Sequence, residues 1–233
     1  MHIASILLGL KSDKQFLGNS RKNNRGIEDF FNDNSSIYFA NKYFTIKRGS
    51  FVKSFIDEGD RILDVGIGAG DLAPYYSNGI LTGCDISRKM IERARKELPE
   101  SRLSVGDAEK LHYESESFDV LVASEMIYYL AHPEELLAEA NRVLKPAGKL
   151  ILMWGNSYLN SLYNLASYLR LRAHDPYALQ TPSKGYVEEL ARTVFREASV
   201  RSFGIGMPGI LNGTDHAILG KASPILGLVI QKH

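Results

Sequence analysis

Three aspartates and three glycines hold the spacing that could do chemistry. The stretch Arg61-Ile62-Leu63-Asp64-Val65-Gly66-Ile67-Gly68-Ala69-Gly70-Asp71 runs from an apolar segment into alternate glycines and then meets an aspartate able to start a helix. It reads as strand, tight loop, helix. Glycines at 66, 68 and 70 permit positive φ and let the backbone approach a ligand with no Cβ in the way. The N–H groups that open the next helix would point at whatever sits there. A second apolar run, Ile80-Leu81-Thr82-Gly83-Cys84, ends in Asp85, a carboxylate placed to accept two hydrogen bonds from a vicinal diol. A third, Arg102-Leu103-Ser104-Val105, delivers Gly106-Asp107-Ala108-Glu109, so Asp107 falls where a strand's carboxyl end opens into a crevice. Together these features suit a nucleoside-type ligand.

The glycine spacing narrows the choice. A dinucleotide fingerprint places glycine at its first, third and sixth positions, and here the sixth is Asp71, whose charge would repel a pyrophosphate. A nicotinamide-dependent oxidoreductase is therefore opposed by the loop itself. The chain has 28 Lys and Arg against 27 Asp and Glu, a net charge of +1, so no global field gathers nucleic acid or an anionic membrane. Its single cysteine, Cys84, excludes an intrachain disulfide and fits a reducing, cytoplasmic compartment. Set inside an apolar strand, Cys84 reads as a small buried thiol rather than a nucleophile.

At 233 residues the chain is long enough for one α/β domain with an added lobe. Residues 1–36 read as an arm. Its apolar patch Ile3–Leu8 is too short to span a bilayer, and Lys11, Lys14, Arg21, Lys22 and Arg25 make its middle basic. A solvated tail and a phosphate-binding arm are its two readings. From 37 to 56 apolar residues recur at helical spacing, giving one or two N-terminal helices whose aromatics either pack or line an acceptor pocket. The segment 57–155 is the core. Asp71 and Pro74 begin a helix that Ser77-Asn78-Gly79 must keep short. Ser87 caps a helix through Leu98; Phe118-Asp119-Val120-Leu121-Val122-Ala123 is a strand covered on both faces. Pro133 opens a helix to Leu144, and Lys145-Pro146-Ala147-Gly148 turns into the strand Lys149–Trp154. Residues 155–183 form a variable insertion with an amphipathic helix over Tyr158–Leu171. Residues 184–233 supply a last helix, a strand Ser199–Ile205, a long loop through Gly206–His216 and a strand Ile225–Ile230. Alternating strands and helices predict a doubly wound parallel sheet.

Four blocks, ILDVGIGAGD at 62–71, GCDIS at 83–87, GDAEKL at 106–111, and FDVLVASEMIYYL with RVLKPAGKLIL at 118–130 and 142–152, resemble the class I S-adenosylmethionine-dependent methyltransferases, in particular their type 11 small-molecule group. The resemblance covers roughly residues 40 to 155. It implies a Rossmann-like seven-stranded sheet of order 3-2-1-4-5-7-6 with the seventh strand antiparallel, helices on both faces and an N-terminal helical lid. It implies S-adenosylmethionine as cofactor and S-adenosylhomocysteine as product. Asp64 and the backbone of Gly66, Gly68 and Gly70 would hold the zwitterionic methionine end, Asp85 the ribose hydroxyls and Ile86 one adenine face. Asp107 with Ala108 would meet the adenine edge, and Ser124 would lie beside the sulfonium. Two departures stand out. Tyr129 occupies the position where many relatives carry a histidine after the fourth strand, and the turn that commonly reads KPGG is Lys145-Pro146-Ala147-Gly148 here.

Methyl transfer from a sulfonium is an in-line displacement with an activated leaving group, so the protein must chiefly align donor and acceptor and exclude water. A general base is needed for an acceptor of high pKa, and Glu125, Tyr129, His132, His174 and His216 are candidates, with His132 also placed for a helix start beside Pro133. No His pair has metal-binding spacing. The expected function is methyl transfer to an O, N or C atom of a small-molecule acceptor. A non-catalytic binding module and a nucleic-acid methyltransferase are the alternatives, the latter wanting a basic track that only residues 11–25 offer.

Overall fold

The computed structural model describes residues 24–35, 42–76, 78–156, 181–205, 223 and 225–233. The expected helix over 158–171, the loop 206–216, and His174 and His216 lie outside these residues.

Short runs of branched apolar residues give seven strands: β1 (Arg61–Val65), β2 (Ile80–Asp85), β3 (Arg102–Val105), β4 (Phe118–Ser124), β5 (Leu144–Gly155), β6 (Ser199–Ile205) and β7 (Ile225–Gln231). They form one sheet of order β3-β2-β1-β4-β5-β7-β6, in which β7 runs antiparallel to both of its neighbours, β5 and β6. This is the order the resemblance implies. Val120 to Ala123 are fully buried, as a strand covered on both faces requires. The direction of winding reverses between β1 and β4, where the carboxyl ends of neighbouring parallel strands leave a crevice.

Strand side chains alternate between two cores. Leu63, Val65, Leu121, Ala123, Leu150 and Leu152 face one; Ile62, Val120, Val122, Ile151 and Met153 face the other. The first core is covered by Leu136, Leu137, Ala140 and Val143 of α4 (Pro133–Val143) and Val187 and Ala191 of α5 (Lys184–Val194). The second is covered by Val52 of α2 (Lys42–Lys53) and by Leu72, Ala73 and Tyr76. On the same side, α3 (Arg88–Glu97) buries Met90, Ile91 and Ala94 and is capped by the Ser87 hydroxyl, which accepts from the Met90 N–H at 3.2 Å. Among the described residues no helix is long and apolar enough to cross a membrane.

Two expectations change. Residues 24–34, read as part of a loose arm, form a helix, α1 (Asn24–Asn34), with Ile27 buried. It is tied to α3 because Asn32 Oδ1 accepts from the Ser87 hydroxyl at 2.8 Å and from the Lys89 N–H at 3.1 Å, and because Arg93 donates to the Ser35 carbonyl. The helix expected after Asp71 is a single 3-10 turn, Ala73–Tyr76. Pro74 fits that turn, the Ala73 N–H is satisfied by the Gly70 carbonyl at 3.0 Å, and β2 begins four residues after Tyr76.

Three local devices set the site's walls. The loop carrying Asp107 and Ala108 is clamped from behind by α4: Glu139 accepts from the Leu111 N–H at 2.8 Å, and Arg142 donates to the Tyr113 and Leu111 carbonyls at 2.7 and 2.9 Å. Lys145–Gly148 opens β5 beside a register shift, and Ala147 takes a φ of 62° there, the conformation that the glycine of the commoner motif adopts freely. In α2, Gly49 lets the helix sit directly on Tyr75, whose ring would lie 2.2 Å from an added Cβ. Helix propensity alone favours alanine over glycine by about 1 kcal/mol, but overpacking opposes it. Gly49→Ala is expected to lower stability by about 1–3 kcal/mol in urea unfolding, the opposite sign from the propensity.

Candidate functional site

Every glycine of the loop after β1 takes positive φ: 73° at Gly66, 58° at Gly68 and 89° at Gly70. A Cβ at Gly70 would lie 2.6 Å from Leu98 Cδ1, so the C-cap residue of helix α3 presses on the loop there. At Gly68 a Cβ would meet nothing, and the backbone is bare toward the crevice. The loop is held from below by two bonds to one acceptor, Gly66 N–H and Ile67 N–H to the Cys84 carbonyl at 2.8 and 3.1 Å. Asp85 then staples it sideways. Its Oδ2 accepts from Gly68 N–H and its Oδ1 from Ser87 N–H, each at 2.9 Å. Burial pushes the Asp85 carboxyl up, and these two backbone bonds oppose the rise. A carboxylate oxygen has two lone pairs, so each still has one to offer a ligand. Cys84 is buried, its thiol pushed up to about 12 by burial and by Asp85 and Asp64, which removes it as a nucleophile at neutral pH.

Asp64 is only 3% exposed and accepts from the Tyr76 hydroxyl at 2.8 Å. Burial pushes its carboxyl up to about 7, against the pull of the Tyr76 bond, and nearby Asp85 adds to the rise. Burial and Asp64 push the Tyr76 phenol well above its usual range, so it stays a donor; Arg48 is close enough to oppose that rise.

The crevice between β1 and β4 is lined by Asp64, Gly66, Gly68, Asp85, Ile86, Asp107, Ala108, Ser124, Glu125 and Tyr129 of the residues expected from sequence, and one cleft brings these together. Gly70 lies behind, buried under Leu98. Asp107 accepts from the Asn24 side-chain amide at 2.5 Å and from Glu109 N–H at 2.9 Å. Glu125 follows β4 directly with a φ of 57°, a sparsely populated conformation for a non-glycine residue, and accepts from the Tyr128 hydroxyl at 2.8 Å. The ring of Tyr129 meets Phe31 edge to face at 5.2 Å. His132 lies apart from the other candidates: it is not among the described residues lining the cleft, its side chain is 64% exposed beside Glu134, and its N–H donates to Glu109 at the start of α4. It occupies the N-cap position of α4 without a side-chain capping bond.

Sequence reasoning missed Asn24, Phe31, Arg48, Tyr76 and Met126. Arg48 and Met126 reach the cleft from α2 and from the turn after β4. A signal existed for one of them, since Ile27, Phe30 and Phe31 recur at the spacing of a helix face. Among the described lining residues Asp64, Asp71, Asp85, Asp107 and Glu125 are acidic and Arg48 alone is basic. Such a lining favours a ligand with net positive charge.

Residues 63–152 match the family described as methyltransferase domain. Over 102 residues the chain is 33% identical to a phosphatidylethanolamine N-methyltransferase from Cereibacter sphaeroides, covering 41% of this chain and 50% of that protein. Over 124 residues it is 34% identical to a ubiquinone/menaquinone biosynthesis C-methyltransferase from Ruegeria sp., covering 47% and 50%. Over residues 63–152 the chain resembles the class I S-adenosylmethionine-dependent methyltransferases. The chain spans about half the length of these curated relatives. The fold is shared with a SAM-dependent methyltransferase from Thermotoga maritima at a TM-score of 0.64, with 22% identity over 90% of this chain and 98% of that one. It is also shared with the cyclase SpnF at a TM-score of 0.66, with 17% identity over 90% and 96%. These two likenesses show the fold alone.

In this core, Asp64 carries a stability consequence with a definite sign. Burial pushes its folded carboxyl up to about 7, above the ordinary aspartate range, so the folded state binds the extra proton between pH ~4 and ~7 and stability is lost as pH rises through that window. Asp64→Asn keeps an oxygen for Tyr76 and cannot ionise. Urea unfolding at pH 5 and pH 8 is expected to show the variant gaining on wild type as pH rises, by roughly 1–4 kcal/mol at the upper end.

Proposed function

We propose that this chain binds S-adenosylmethionine in the cleft between β1 and β4 and moves its methyl group to an O, N or C atom of a small-molecule acceptor, leaving S-adenosylhomocysteine. The observation that carries the reading is the positive-φ loop, bare at Gly68 and stapled to Asp85, in a cleft whose described lining is acidic apart from Arg48. The residues fit the cofactor by charge and by shape. Sulfonium and α-ammonium outweigh the α-carboxylate, so an acidic lining is favourable to it. Asp85 has the lone pairs for a ribose diol, and Asp107 already accepts from an amide N–H₂, the same kind of donor as an exocyclic adenine amine. Ile86 and Ala108 are apolar walls for a base, and Asp64 receives the ammonium.

When bound, the cofactor supplies a methyl group already activated on a sulfonium. What remains for the chain is to orient and to exclude water. Met126 packs toward the loop, 3.3 Å from where a Gly66 Cβ would stand, and Tyr129 closes on Phe31. Ser124 Oγ is buried in the cleft wall with no partner among the described residues, leaving a donor for a lone-pair atom beside it. Glu125 is the candidate proton acceptor whose carboxylate lies in the cleft, oriented by Tyr128. The curated relatives act, by their names, on phosphatidylethanolamine and in quinone biosynthesis, and Ile27, Phe31, Met126 and Leu130 give this cleft an apolar side. An acceptor with an apolar body follows from both.

Titration calorimetry with S-adenosylhomocysteine tests the cofactor reading. Ligand-free wild type is expected to bind, and Asp85→Asn, with its loop still folded by circular dichroism, to bind roughly tenfold or more weakly. Equal affinities in the two proteins would remove Asp85 from the site, and no binding by wild type would remove the cofactor.

A further inference from the structure

Charge is spread unevenly over this chain. The whole carries +1, but residues 37–56 contain Lys42, Lys47, Arg48 and Lys53 and no acidic residue, a local +4 that leaves −3 for everything else. All four cations stand on α2. Arg48 reaches into the cleft, while Lys42 and Lys53 are exposed and Lys47 is half-buried. Four large apolar side chains are exposed among the described residues, and two of them, Tyr43 at 49% and Ile46 at 44%, lie within one turn of this same helix. A single exposed apolar residue needs no explanation. Two together, bordered by cations on a helix without acidic residues, make a surface with a chemistry of its own.

At about 100° per residue, the outward residues of α2 fall in the order Lys42, Lys53, Ile46, Ser50, Tyr43, Lys47 across an arc of about 140°. The apolar pair thus sits between two lysine borders, and Lys47 Nζ lies 5.7 Å over the Tyr43 ring. The opposite side of the helix is spent on the fold, with Val52 in the core and Gly49 against Tyr75. Acidic residues resume only at Asp57 and Glu58, past the end of the helix, and Asp57 pairs with Lys149 at 2.9 Å. Lysines reaching outward, a tyrosine between them and an aliphatic side chain beside it suit the boundary between lipid headgroups and acyl chains. A nucleic-acid backbone would use the lysines and could stack on Tyr43, but Ile46 offers it nothing.

We propose that the outer face of α2 docks on the surface of an anionic lipid bilayer, with Lys42, Lys47 and Lys53 toward the lipid phosphates and Tyr43 and Ile46 inserted among the headgroups. Because Arg48 of the same helix lines the cleft, α2 then separates bilayer from cleft by one helix diameter, about 10 Å. An acceptor with an apolar body would pass to the cleft from the bilayer instead of through water. That consequence rests on the function proposed above; the docking itself needs no cofactor.

The test is co-sedimentation of the full chain, without cofactor, with vesicles of equimolar phosphatidylcholine and phosphatidylglycerol and with vesicles of phosphatidylcholine alone. Wild type is expected to bind the anionic vesicles about tenfold or more tightly than the zwitterionic ones, and less tightly as salt is raised. Two variants on exposed or half-buried positions, each checked for folding by circular dichroism, divide the contributions. Reversing the three lysines, K42E/K47E/K53E, is expected to weaken anionic-vesicle binding about tenfold or more. Removing the apolar pair, Y43S/I46S, is expected to weaken it several-fold with the charge unchanged. Wild type that stays in the supernatant would overturn the proposal, as would binding that neither variant weakens, which places the contact elsewhere on the chain. Binding that only the lysine variant weakens, and that a single-stranded oligonucleotide displaces, would make the face a polyanion site and overturn it too. A wild-type dimer in sedimentation velocity that Y43S/I46S dissolves would give the face to a second copy of the chain instead.

Discussion

A buried carboxylate with no cation bonded to it among the described residues is the constraint on which this site turns. Asp64 is held inside the sheet at the end of β1, with one phenolic hydroxyl as its partner and Asp85 as its neighbour. Water cannot stabilise its charge, and the protein supplies little in exchange, so the proton stays on until near neutrality. Any ligand that brings an ammonium to this place supplies what the fold withholds. Stability given up in the free protein then becomes binding free energy in the complex, the usual trade at a site kept ready for a charged partner.

The rest of the architecture follows from presenting that carboxylate. β1 must be central, so that both its faces are covered and Asp64 stays dry. It must also end beside β4, because a parallel sheet opens into a crevice where the winding reverses. The glycine loop must then turn upward with no side chains in the way, and the Cys84 carbonyl and the Asp85 carboxylate hold it there. Asp85 thus has a structural task through its backbone bonds and, in the function proposed here, a binding one through its remaining lone pairs. Glu139 and Arg142 do for the Asp107 loop from behind what Asp85 does for the glycine loop.

The strands and the positive-φ glycines were legible in the sequence because apolar runs and glycine spacing are local signals, whereas the strand order was implied only by the resemblance of the four blocks. Asp64, Asp85 and Asp107 were legible for the same reason, each lying at or near a strand's end. Three features were not. Residues 24–34 are polar enough to resemble a tail, and only the spacing of Ile27, Phe30 and Phe31 betrays the helix that lies over the site. The segment after Asp71 carries helix-start chemistry, yet the chain must return at Ile80 and permits one 3-10 turn. Arg48 has no local signal at all. Its place in the cleft depends on Gly49 meeting Tyr75, a contact between elements that no period or spacing announces.

The measurement that tests the central claim most directly is the titration of the Asp64 carboxyl, followed by isotope-edited NMR in the free protein and with S-adenosylhomocysteine bound. The expected result is a carboxyl that titrates near 7 when free and well below that when the ligand's ammonium is beside it. A carboxyl that titrates in the ordinary aspartate range when free, or one that the ligand leaves unmoved, would contradict it.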